Sequence, residues 1–402
     1  MSGKNNITPA IRTANITYAV RDIVVLANEV AKQGKELLYL NIGDPNQFDF
    51  HTPDHMVEAT YQALKANHNG YSPSSGIKEA TNTVEKEAER KGIRNIQDIF
   101  ITTGASEAIE LCLSALVNRG ENVLTPAPGY PLYTAIIARL EAEENPYFLD
   151  ENNGWQPNIE DIKAKINDKT RAIVLINPNN PTGSNCSRQL IQDVIKLAAE
   201  HNLVIFADEI YDKLLFDNEQ HISVASLNSE IPIITFGGLS KNYLGPGLRI
   251  GWGIISGDRG RLSEYVEAVN KLLRARLCAN HPLQYAIKPA LEGSQQHIVK
   301  MTEKLTRRRD MTVDMLNTIE GISCVKPRGA FYAFPRLHIE GSDNEFVHGL
   351  IRETGVVVVP GTGFRQVPGT QHFRVVFLPP EDILERAYSE IDRYMKIYRQ
   401  SH

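Results

Sequence analysis

Three apolar runs between residues 171 and 252 constrain this chain more than any other feature. They lie in RAIVLINPNNPTG (171–183), VIFADEIYDKL (204–214) and ITFGGLSKNYLGPGLRIGW (234–252). Ala172–Ile176, Leu203–Ala207 and Ile231–Phe236 read as apolar on both faces, the pattern of strands in a parallel sheet covered on both sides. Open α/β sheets bind ligands beyond the carboxyl ends of their strands. Each run is followed there by polar residues: Asn180, then Asp208 with Tyr211, then Lys241 with Arg249. A lysine so placed can hold an aldehyde through its amine. A carboxylate nearby can keep a pyridine nitrogen protonated.

At 402 residues the chain exceeds one ordinary core, so two lobes are expected. A net charge of −5 offers no basic field for nucleic acid. No run of about 18 apolar residues occurs and MSGKNNITPA lacks a signal-type core, so a cytoplasmic protein is expected. Cys112, Cys186, Cys278 and Cys324 are scattered, as reduced thiols would be. The eleven histidines show no HExxH spacing, and G-x-S-x-G is absent, so neither a metal nor a serine-type triad is expected.

Residues 1–16 read as a loose arm. Thr17 is the expected cap of a helix to about Gly34, in which Ala19, Ile23, Leu26, Ala27 and Val30 recur at helical spacing. Lys35–Ile42 is expected as a strand ending in Gly43-Asp44-Pro45, with helices over Asp54–Ala66 and Ile77–Lys91. A short strand at Ile99–Thr103 leads into Gly104-Ala105-Ser106 and an apolar helix, Ala108–Val117. Small residues at a helix start leave N–H groups open to a phosphate. Pro126–Pro131 is a rigid turn presenting Tyr130. Arg261–Ala275 and His297–Ile319 are expected as long helices, the second linking the lobes. Beyond residue 321, Ile322–Lys326, Phe331–Phe334, Val356–Val359 and Phe373–Phe377 suggest a smaller antiparallel sheet, followed by a terminal helix. The expected division is 1–50 as an arm and part of the small domain, 51–296 as the large domain and 297–402 as the small one.

NPNNPTG (177–183), DEIY (208–211) and the spacing of Ser240-Lys241 to Arg249, in that order, resemble the fold-type I aminotransferases of class I and II. The resemblance spans nearly the whole chain. Within the class, YLNIGDPNQFDFHTPDHM (39–56), PRGAFYAFP (327–335) and HFRVVFLPP (372–380) look most like the alanine aminotransferases of archaea and bacteria. The resemblance implies an α/β fold: a large domain with a mostly parallel seven-stranded sheet sandwiched by helices, and a smaller α+β domain. It implies pyridoxal 5′-phosphate (PLP) as cofactor, with Lys241 as the Schiff-base lysine and proton shuttle and Asp208 as partner of the ring nitrogen. Tyr211 and Asn180 would bond the ring hydroxyl, and Tyr130 would stack on the ring. Gly104, Ala105, Ser106 and Arg249 would hold the phosphate, with Ser240 adding a hydroxyl. Gly238 and Gly245-Pro246-Gly247 depart from the family pattern beside that last contact. Arg374 would grip the substrate α-carboxylate through a bidentate fork, with Gly43 and Asn180 alongside. Tyr71 would reach the neighbouring site of a homodimer.

Taken singly, each residue has a plainer reading. Lys241 would be a solvated charge, Asp208 a helix cap, Asn180 a turn residue, Tyr130 half-buried packing and Arg374 a strand-edge charge. Their occurrence together and in order favours the chemical reading. The expected reaction is transamination between L-alanine and 2-oxoglutarate, with an aspartate or aromatic aminotransferase, or a carbon–sulfur lyase, as the alternative. A dicarboxylate enzyme usually brings a second arginine, for which Arg12, Arg21, Arg274 and Arg276 are candidates. A PLP-binding transcription regulator would need a winged-helix domain, too large for the roughly 50 residues before the large domain.

Overall fold

Where a strand is apolar on both faces, both must be covered, and the central sheet is built that way. The computed structural model describes residues 7–16 and 19–401. Numbered along the chain, β1 is Leu38–Tyr39, and the large sheet begins with β2 (Ile96–Thr102), β3 (Asn122–Ala127) and β4 (Glu143–Asp150). It continues with β5 (Gln156–Pro157), β6 (Thr170–Ile176), β7 (Val204–Asp208), β8 (Ile233–Gly238) and β9 (Gly251–Ser256). The order across the sheet is β2-β9-β8-β7-β6-β3-β4-β5. Neighbours from β8 to β4 are parallel, β9 is antiparallel to both its neighbours, and the two-residue β5 turns back along the edge. The seven long strands are those the family resemblance implies, and β5 is a short addition.

Alternation along β6 shows how the two faces are filled. Ala172, Val174 and Ile176 pack with Phe206 and Phe236 in one core cluster, under the helices Ala105–Leu116 and Arg259–Ala275. Ile173 and Leu175 point the other way, into the cluster that includes Ile205, Ala207 and the helix Arg188–Glu200. One strand thus feeds two cores.

The second lobe is stitched from short strands: β10 (Ile322–Ser323), β11 (Tyr332–Ala333), β12 (Arg336–Leu337), β13 (Val356–Val357), β14 (Val359–Pro360) and β15 (Gln371–Val376). β15 is its spine, antiparallel to β11, β12 and β14. The strand expected over Lys35–Ile42 shrinks to β1, because its parallel partner β13 offers only two paired residues. The helix expected from Thr17 is present as Ala19–Lys32, and Thr17 itself lies outside the described residues. Part of the expected loose arm, Ile11–Asn15, forms a 3-10 turn.

Helix Gln296–Thr318 runs between the lobes with Arg308 and Arg309 fully buried. Arg308 forks onto Asp49 at 2.9 and 2.8 Å and reaches Glu381, while Arg309 forks onto Asp217 at 2.7 and 2.8 Å. Burial works against ionised Asp49, but the bonds and charges of Arg308 and Lys304 outweigh it and hold the carboxyl at about 2. Among the described residues no helix is long and apolar enough to cross a membrane, and no acid, histidine and cysteine group could hold a metal ion.

Candidate active site

Strands β6, β7 and β8 end side by side, and a cavity of about 510 Å³ opens beyond their carboxyl ends. Its wall includes Ala105, Ser106, Tyr130, Asn180, Asp208, Tyr211, Ser240, Lys241 and Arg249 from the large lobe. Gly43 joins them from the segment after β1, and Arg374 from β15. Two expected residues are not on that wall. Gly104 lies just behind it, and Tyr71 is 81% exposed on the surface.

Lys241 follows β8 and donates from Nζ to the Gly43 carbonyl at 2.7 Å. Burial lowers its pKa to about 8; Asp44 and Asp208 oppose that shift, whereas Arg374 and Arg249 reinforce it. An amine at that value is about one-tenth free at pH 7, far more than an exposed lysine.

Asp208 is the last residue of β7 and is almost completely buried. Burial raises its carboxyl to about 6, against the pull of the Ile210 N–H, which donates at 3.4 Å, and of the Tyr133 hydroxyl, which donates at 3.3 Å. It is a buried acid without a full countercharge, and a cation placed against it would favour its ionised form.

At the other end, Gly104 takes φ +77 before the helix Ala105–Leu116. A Cβ there would overlap the Arg249 guanidinium, so only glycine lets the arginine lie across this helix start. Arg249 donates to Ser106 Oγ at 3.1 Å. Open helix N–H groups, a hydroxyl and a guanidinium make a corner suited to a phosphate.

Arg374 is sandwiched: its guanidinium carbon is 4.7 Å from the ring centres of both Tyr332 and Phe364. It donates to Asn180 Oδ1 at 3.0 Å and to the Asn41 carbonyl at 2.5 Å. The Tyr211 and Tyr332 hydroxyls are 2.8 Å apart. Burial, with Tyr332 beside it, holds the Tyr211 hydroxyl well above its usual pKa, so it stays protonated.

Of the candidates for a second carboxylate contact, Arg12 is exposed, Arg274 pairs with Glu267, and Arg276 donates to the Ser74 and Ile101 carbonyls. The side chain of Arg21 is outside the described residues. Arg249 and Arg374 are the arginines on the cavity wall among the described residues.

Sequence reasoning missed Tyr133 and the structural part of Tyr332. Tyr133 lies three residues after Tyr130, on the same helix face, which is a usable signal only once Tyr130 is placed. Tyr332 sits within PRGAFYAFP, a motif legible in the sequence without a role attached.

The chemistry of this donor set fits PLP: an anion corner, a lysine with a depressed pKa and a buried acid share one cavity. The profile of the family described as aminotransferase class I and II matches residues 35–391. The glutamate-pyruvate aminotransferase AlaA of Escherichia coli (strain K12) is 38% identical over 403 residues, covering 98% of this chain and 99% of its own. An alanine aminotransferase of Mycobacterium tuberculosis (strain ATCC 25618 / H37Rv) is 40% identical over 396 residues, covering 96% of this chain and 92% of its own. The solved alanine aminotransferase from Pyrococcus furiosus superposes with a TM-score of 0.93 at 38% identity, over 97% of this chain and 100% of that one. Likeness of that extent, over both lobes and through the cavity, means that the chain belongs to the class I and II aminotransferases and is a PLP-dependent enzyme.

Proposed function

We propose that the enzyme transfers the amino group of L-alanine to 2-oxoglutarate, giving pyruvate and L-glutamate. The observation that carries this reading is the near-full-length likeness, at 38–40% identity, to relatives named for glutamate–pyruvate or alanine transamination. A cavity wall whose arginines, among the described residues, are Arg249 and Arg374 supports it, because an enzyme dedicated to dicarboxylates usually brings a further arginine. The second carboxylate of glutamate would be met by other polar groups of the same pocket.

Each residue has a task in this reading. Lys241 would hold the cofactor through its aldehyde, and its amine, when free, would take the substrate's α-proton and hand it back. A pKa of about 8 suits both duties. Asp208 holds the proton on the ring nitrogen, Tyr211 and Asn180 bond the ring hydroxyl, and Tyr130 stacks on the ring. Gly104, Ala105, Ser106, Ser240 and Arg249 hold the phosphate. Arg374 takes the α-carboxylate, with Gly43 closing from the side. When bound, PLP supplies the electron sink that makes the α-proton removable. The chain's own contribution is to orient the Cα–H bond and exclude water.

The working form is a homodimer in this reading, with Tyr71 reaching the phosphate of the neighbouring site. Helix Asp54–Lys65 supports it: Val57, Tyr61 and Leu64, at i, i+4 and i+7, form an exposed apolar stripe. The small domain is 297–402 with part of 1–50, a division supported by the pairing of β1 with β13.

A panel of amino acids, scored by conversion of the PLP absorbance to that of the pyridoxamine form, tests the substrate. Alanine and glutamate should react well and aspartate poorly. Arg374→Ala should weaken alanine and glutamate together, by roughly 2–5 kcal/mol for a desolvated charge pair. Aspartate reacting tenfold faster than alanine would overturn the alanine reading.

A further inference from the structure

Tyr332 touches both halves of the proposed site. It lies on β11, whose residues pair with Val375 and Val376 of β15, one and two places beyond Arg374. Its ring covers one face of the Arg374 guanidinium, and its hydroxyl is 2.8 Å from that of Tyr211. The two tyrosine rings meet edge-on at 87°. Behind the hydroxyl the backbone of Gly43 comes so close that a Cβ there would overlap it. Tyr332 is buried. Ring and hydroxyl are therefore held in place from three sides.

Two hydroxyls at hydrogen-bond distance share one proton between them, and the other proton is available elsewhere. If Tyr211 gave its proton to Tyr332, it could only accept from a ligand. The ring oxygen of PLP accepts best when ionised, so the useful arrangement is the reverse one. We propose that Tyr332 is a positioning residue that donates to Tyr211 and so turns the Tyr211 proton toward the cofactor's ring oxygen, while its ring keeps the Arg374 guanidinium flat for the substrate carboxylate. This inference rests on the roles given above to Tyr211 and Arg374. It links the carboxylate grip to the cofactor's hydrogen bonding through one side chain.

The test is a spectroscopic pH titration of holoenzyme, reading the midpoint of the bound cofactor's visible absorbance change. A proton donated to the ring oxygen favours its ionised form and lowers that midpoint. Tyr211→Phe should raise it. Tyr332→Phe should raise it by less, about half a unit, because it removes only the polarising partner. In the double variant the midpoint should match Tyr211→Phe alone, since Tyr332 acts through Tyr211. KM for alanine should stay within about twofold in Tyr332→Phe, which keeps the ring on Arg374, and rise several-fold in Tyr332→Leu. A midpoint that moves in Tyr211→Phe but not in Tyr332→Phe would overturn the inference and leave the role of Tyr211 standing. Shifts that simply add in the double variant would also overturn it. A midpoint unmoved in Tyr211→Phe would overturn both the role of Tyr211 and the inference built on it.

Discussion

Asp208, in the ring-nitrogen role proposed for it, would work against the stability of the fold that holds it. Its carboxyl rises from 3.8 to about 6 because burial removes the water that would solvate the charge. In the cofactor-free protein the folded chain holds the proton that the unfolded chain has already released between about pH 4 and pH 6. Stability therefore falls as pH rises through that window and stays lower above it, by about 3 kcal/mol for a shift of that size. Asp208→Asn removes the penalty. Urea denaturation of cofactor-free protein should show the variant more stable than wild type at pH 8, with the gap narrowing toward pH 4. Turnover of the holoenzyme should fall by about two orders of magnitude or more, as when a preorganised electrostatic contact is deleted. A variant with near-normal turnover would make Asp208 a structural cap instead. Asp208 could be picked from the sequence because it ends an apolar run. The size of its penalty could not, since that depends on Tyr133 and on everything packed around the strand end.

Among the elements, the turn Gly361–Phe364 sets how the small lobe meets the cavity. Phe364 lies on Arg374, its carbonyl accepts from the Gly129 N–H at 2.9 Å, and the next residue, Arg365, pairs with Glu144 at 2.6 Å. Glu144, on β4, also accepts from Thr125 at 2.9 Å and from Thr134 at 2.8 Å. One buried carboxylate thus joins β3, β4, the helix Pro131–Arg139 and a turn of the other lobe. Arg365 is half exposed and can return to water, whereas the Thr125 hydroxyl is buried and would lose its acceptor. Glu144→Ala should cost about 2 kcal/mol in chemical denaturation, and Glu144→Gln less, since an amide oxygen still accepts. Equal stability of all three proteins would remove the network from the account of lobe docking. No local pattern announced it: Glu144 and Arg365 are 221 residues apart, and each reads as an ordinary surface charge in its own segment.

At the scale of the whole molecule, the proposed dimer requires each chain to complete its neighbour's site. Tyr71 is far too exposed to serve its own cavity wall, and it stands in the chain shortly after the exposed stripe of Val57, Tyr61 and Leu64. Hybrid dimers provide the test. Tyr71→Ala and Lys241→Ala homodimers should both be impaired. Mixed dimers, one subunit of each kind, should recover one intact site if Tyr71 acts on the neighbour, because wild-type Tyr71 then meets wild-type Lys241. Activity no higher than that of the Tyr71→Ala enzyme would show that Tyr71 acts within its own subunit.

Local composition and periodicity determined a good deal. The runs at 172–176, 203–207 and 231–236 overlap β6, β7 and β8, and Asn180, Asp208, Tyr211, Lys241 and Arg249 follow them because an apolar strand stops where polar residues begin. The long helices also fall within one or two residues of their expected spans, since period and caps are written locally. The tertiary structure alone decided which distant segments share the cavity. Gly43 reaches Lys241 across 198 positions, and Arg374 reaches Asn180 across 194. It decided too that Lys35–Ile42 pairs over only two residues, for a strand is as long as its partner allows. Above all it set the direction of the pKa shifts in the cofactor-free chain, down to about 8 for Lys241 and up to about 6 for Asp208. A pKa shift records how much protein has replaced water around a group and which charges face it, and residues brought together from the whole chain do both.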